Sequence, residues 1–130
     1  MPYLFASSAY IKKEMYAEAI NEARQARKLS PVQTTAISFE GYALAKSGRR
    51  DEARIALNEL LKLSTGRFVP PYHIALVYNA LDETDNALEW LEKGYEQRDP
   101  KMTFLKVEPK WNNLRSEPRF VDLMRRMNFE

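Results

Sequence analysis

His73 is the chain's one histidine and so the one side chain whose ordinary pKa lies near neutrality. As a general base it would need an orienting partner within hydrogen-bond reach. Its neighbours Tyr72, Ile74 and Ala75 favour a structural or groove-lining role in a helix instead. With no cysteine, disulfides, thiolate metal sites and cysteine nucleophiles are excluded, and one histidine cannot build a zinc site. Glu89, Glu92 and Glu96 recur at three- and four-residue spacing, the pattern of a solvated helix face more than of an acid-base pair. Four isolated glycines form no phosphate-cradling loop, and G-x-S-x-G, S-x-x-K and H-E-x-x-H are missing. No catalytic residue, metal or cofactor is expected, and the chain does not read as an enzyme.

Basic residues are the other chemical candidates. Residues 1–100 hold 13 Lys and Arg against 14 Asp and Glu, whereas residues 101–130 hold 7 against 4, so the +2 net charge resides in the tail. There Lys101, Lys106, Lys110, Arg115, Arg119, Arg125 and Arg126 interleave with Phe104 and Trp111. Phosphate contacts with base stacking would need those groups on one exposed surface. The reading preferred here puts the aromatics in a core and pairs the basic groups with Glu108, Glu117 and Asp122, so nucleic acid is not the expected partner.

Apolar periodicity supplies the elements that must position these side chains. Tyr3, Phe5, Ala6, Ala9 and Tyr10 imply a helix from Pro2 to Lys13, with Leu4, Phe5 and Ile11 left off its main stripe. A second helix, Tyr16 to Leu29, buries Ala19, Ile20, Ala23 and Ala26 and closes at Pro31. Helices near Val32 to Lys46 and Arg50 to Leu63 follow, joined at Gly48, which suits a left-handed helix end. Pro70 and Pro71 open a fifth, Asp82 to Thr84 turn the chain, and a sixth runs to about Gln97. The tail reads as a short turn or two and a closing helix capped by Ser116, covering the open face of the preceding unit.

A fixed period links the helix pairs. Ala87 minus Ala53 and Ala53 minus Ala19 are both 34, and Ser7, Gly41 and Ala75, like Tyr10, Leu44 and Tyr78, keep the same stride. Such a period marks stacked repeats. The units resemble the tetratricopeptide repeat, with its aromatic-x2-Leu-Gly-x2-Tyr, Ala-x3-Phe and Pro positions. The first unit supplies Tyr3, Ala6, Ser7, Tyr10, Ala19, Ala23 and Pro31, the second Ile37, Glu40, Gly41, Leu44, Ala53, Leu57 and Thr65, and the third Pro71, Ile74, Ala75, Tyr78, Ala87, Leu91 and Asp99. Glu40 stands where the family has an apolar residue, and Leu60 where it has a small one. The resemblance implies an all-α, right-handed α-solenoid in a single domain of residues 1–130, with repeats at about 2–31, 33–65 and 68–99 and a cap at 101–130.

By the family's register a concave groove would be lined by Leu4, Ser8, Ile11 and Lys12, then Ser38, Tyr42, Ala45 and Lys46, then Tyr72, Leu76 and Asn79. That implies a non-catalytic interaction module holding a peptide or protein partner, with an acidic group near Lys12 or Lys46. The family's carboxylate clamp is absent, because its positions carry Leu4, Ser8, Phe39, Val69 and His73. The tail resembles the ending of bacterial tetratricopeptide regulators, so the alternative is a C-terminal regulatory or oligomerisation part of a kinase, cyclase or winged-helix signalling protein. An uncovered first helix would favour a homodimer through Leu4, Phe5 and Ile11. No apolar run or leader pattern suggests a membrane or secretion, which makes the cytoplasm the expected location.

Overall fold

The computed structural model describes residues 2–30, 33–66, 68–106 and 108–127, with side chains throughout these except at 2–5 and 106. The described residues are all-helical, with helices packed against one another. Three antiparallel pairs come first: α1 (Pro2–Lys12) with α2 (Tyr16–Leu29), α3 (Thr34–Lys46) with α4 (Arg50–Ser64), and α5 (Pro71–Ala80) with α6 (Thr84–Glu96). Two 3-10 segments, Pro100–Lys106 and Pro109–Leu114, lead to α7 (Pro118–Arg126). Among the described residues no helix is long and apolar enough to cross a membrane.

The turn inside each pair is built the same way. Glu14, Gly48 and Asp82 all take positive φ, at 59°, 88° and 63°. The amides of Met15, Arg49 and Glu83 donate back to the carbonyls of Tyr10, Leu44 and Tyr78, so every component of the turn recurs at the sequence period. This left-handed closure satisfies carbonyls that the first helix would otherwise leave orphaned. Only the second turn uses glycine. At Glu14 and Asp82 a side chain is held where L-residues are disfavoured.

Small side chains let the helices approach. Ser7 is wholly buried, and its hydroxyl donates to the Ala19 carbonyl at 2.8 Å, tying α1 to α2. A methyl group added at Gly41 would meet Val77 of α5 at 3.1 Å and Ala56 of α4 at 3.3 Å. One cluster of buried apolar side chains runs from Ile11 through Leu44, Leu57 and Leu76 to Phe120 and Leu123. Ile11 belongs to that core, which corrects the expectation that it lies uncovered, while the Leu4 and Phe5 side chains lie outside those described.

Glu40 explains its own departure from the repeat pattern. Its buried carboxylate accepts from Arg24 at 2.7 Å and Arg27 at 2.5 Å, both from α2, and Arg27 reaches on to Glu59 of α4 at 2.6 Å. A buried charge must be matched by hydrogen-bonded partners. Farther along, Arg50 donates to the Leu81 carbonyl at 2.6 Å and Arg54 pairs with Glu83, joining α4 to the turn of the third pair.

Two terminus expectations need correction. Ser116 does not cap α7: Glu117 occupies the N-cap, without a side-chain cap bond. Pro71 is the first helical residue of α5 and Pro70 its cap, while Pro31 lies outside the described residues. Asp99, from beyond α6, takes over the capping of α5. Its carboxylate accepts from the Tyr72 amide at 3.1 Å and from the Lys101 amide at 3.0 Å.

Candidate functional site

The tail does more than close the end of α6. Phe120 and Leu123 of α7 are buried, α7 packs on α6, and Arg126 pairs with Glu92, as a terminal cover requires. The segment before α7 takes another path, across α5. Trp111 is 0% exposed, stacks edge-on to Tyr72 with centroids 5.4 Å apart, and donates its indole N–H to the Tyr72 hydroxyl at 3.0 Å. Asn79 donates to the Lys110 carbonyl at 3.0 Å and forms a reciprocal amide pair with Asn113, at 2.8 and 3.1 Å.

Three expected groove residues are thereby covered. Tyr72 is 6%, Leu76 1% and Asn79 4% exposed, and of α5 only Tyr78 escapes full burial. Burial pushes the Tyr72 hydroxyl pKa up to about 12, and the Trp111 hydrogen bond works against that rise. The tail thus takes part of the third pair's wall, at Asn79 and the Tyr72 hydroxyl, and leaves Tyr72 and Leu76 only a small exposed area.

What stays open is a cleft on the face made by α1, α3 and α5, crossed by Glu108, Pro109 and Lys110. On one side of this crossing lies a compartment of about 230 Å³ lined by Ser8, Thr35, Phe39, Tyr72, Leu76 and Phe104, together with His73 and Lys101. On the other side a compartment of about 400 Å³ is lined by Ile11, Tyr16 and Tyr42, with Lys12, Lys46 and Glu14 around it. Glu108 and Lys110 border both.

The expected lining residues are thus divided. Ser8, Tyr72 and Leu76 come together around the smaller compartment, and Ile11, Lys12, Tyr42 and Lys46 around the larger. Ser38 and Ala45 are buried, Ser38 donating its hydroxyl to the Thr35 carbonyl at 2.8 Å, and Leu4 lies outside the described side chains. Sequence reasoning missed Thr35, Phe39, Lys101, Phe104, Glu108 and Lys110. For Phe39 the helical spacing of three from Tyr42 was a usable signal. For the tail residues no local signal existed.

Electrostatics at the site are uneven. Lys110 donates to Glu108 at 3.0 Å and stands 5.8 Å from the Tyr42 ring centroid, and Lys46 approaches the same ring at 5.9 Å. Burial raises the Tyr42 pKa, keeping the phenol neutral under the two ammonium groups. His73 is 2% exposed, with Nδ1 3.2 Å from the Thr34 hydroxyl. Burial, aided by Lys101, lowers its pKa to about 4, so it is a neutral ring at neutral pH. No carboxylate lies in hydrogen-bond reach to orient it as a base among the described residues.

Lys110, Arg115 and Arg126 of the tail are committed to partners within the chain. Arg115 donates to the carbonyls of Leu105 at 2.9 Å and Glu108 at 3.0 Å, and Asp122 holds Arg126 at 2.9 Å. Glu117, expected to pair with a basic group, forms no ion pair among the described residues. Trp111 is core and cannot stack on a base. Comparison of the chain with family models, with curated proteins and with solved structures finds no match.

Proposed function

We propose that this chain is a non-catalytic interaction module of tetratricopeptide type, which holds a segment of a partner protein in the cleft on the α1, α3 and α5 face. The observation that carries the reading is the convergence of side chains from separate helical pairs on that face. Ile11 and Lys12 of α1 meet Tyr42 and Lys46 of α3 around one apolar-floored compartment. Side chains 30 to 35 residues apart in the chain gather there without a metal-binding group or an oriented base among the described residues. A surface that offers aromatic anchors with a few polar groups fits a peptide better than a reaction.

The test is capture of partners on the immobilised chain, repeated with Tyr42→Ala and Lys46→Ala. Loss of one and the same partner in both variants supports cleft binding. Retention in both would move the partner to another face and overturn the assignment of the site.

A further inference from the structure

We propose that the segment this cleft takes is acidic, with an Asp or Glu side chain set against Lys12 and Lys46 and a neighbouring apolar side chain on Ile11 and Tyr42. The proposal rests on the reading of the cleft as a peptide site. Its basis is the set of charged groups around the larger compartment, compared with the arginines of the neighbouring helices. Arg24, Arg27, Arg49, Arg50 and Arg54, on and beside α2 and α4, each have a carboxylate within 4 Å. Those arginines are answered by the chain's own carboxylates.

Lys12 and Lys46 form no ion pair among the described residues, although both border the larger compartment. Lys110 adds a third ammonium, answered by Glu108 at 3.0 Å. Lys46 and Lys110 stand 5.9 and 5.8 Å from the centre of one phenol ring. With Glu14 also on the rim, three lysines face two glutamates, an excess of one positive charge in a partly enclosed, ring-floored space. Such a space concentrates anions and turns cations away. The apolar lining disfavours a bare anion as occupant, because the half-buried Tyr16 and the remaining edges of Ile11 and Tyr42 gain only when carbon covers them.

The test uses a random short-peptide library selected on the full chain, with binding of the enriched peptides measured by fluorescence anisotropy. Enriched sequences should place Asp or Glu beside an aliphatic or aromatic residue. Lys12→Glu and Lys46→Glu should each weaken them about threefold to tenfold at low salt, and salt of about 0.5 M should shrink that difference. Lys62→Glu on α4, outside the cleft, should leave binding unchanged. Peptides that need Tyr42 but show no acidic preference would overturn the charge proposal and leave the peptide site standing. Peptides indifferent to Tyr42, Lys12 and Lys46 alike would overturn both.

Discussion

His73 carries a pH dependence that can be read directly. Its folded pKa of about 4 lies below the ordinary 6.5 because burial disfavours the imidazolium. The unfolded chain therefore binds the proton first as pH falls. Stability is full above the unfolded value and declines as pH drops from 6.5 through 4. Equilibrium unfolding should report a loss of about 2 kcal/mol between about pH 7 and about pH 5, and His73→Leu should abolish most of it. An equal loss in the variant would assign the slope to carboxylates. Gly41 sets a second test at this scale. Gly41→Leu pushes carbon against Val77 and Ala56 and should cost about 1 to 3 kcal/mol by thermal unfolding. Unchanged stability would mean that α3, α4 and α5 do not meet there.

At the scale of elements, the turns and the tail make separate predictions. Gly48 sits at φ 88° with open space around its α-carbon, so Gly48→Ala should destabilise by about 1 kcal/mol through backbone strain alone. Glu14→Gly, at φ 59°, should relieve the same strain and be neutral or stabilising. The opposite ordering in denaturant unfolding would contradict the shared turn geometry. For the tail, Tyr72→Phe deletes the acceptor of the Trp111 indole N–H and leaves that donor buried. The variant should lose about 1 to 3 kcal/mol, with the indole proton resonance shifted and exchanging faster. An unmoved indole resonance would show that the tail does not lie on α5.

Sequence and structure agree best where local periodicity decides the outcome. Expected Tyr16 to Leu29 is α2 to the residue, and the 34-residue stride in Ala19, Ala53 and Ala87 reappears as a turn repeated at Glu14, Gly48 and Asp82. Helix faces and helix ends are written within a few residues of chain, and so they can be read. The path of the tail is not. It depends on pairings between distant segments, such as Trp111 with Tyr72 and Asn113 with Asn79, which no local pattern marks. A register borrowed from a regular repeat therefore placed Asn79 on an open wall where the tail pairs with it, while Tyr72 and Leu76 still line the smaller compartment. Glu40 lies between these cases. Its anomaly was visible, and its arginine partners stood on the preceding helix at a spacing of one turn.

For the molecule as a whole, Arg24, Arg27 and Arg54 of α2 and α4 pair with the chain's own carboxylates, while Lys46 and Lys110 stand beside the Tyr42 ring on the α1, α3 and α5 face. The central claim is that this divided cleft is where the partner sits. Backbone amide chemical-shift mapping during titration with a library-selected peptide tests it most directly. The account predicts shifts concentrated at residues 8–16, 35–46 and 104–110, with the outer residues of α2 and α4 unmoved. Shifts confined to α2, α4 or α7, with the amides around Tyr42 and Lys46 unchanged, would contradict it.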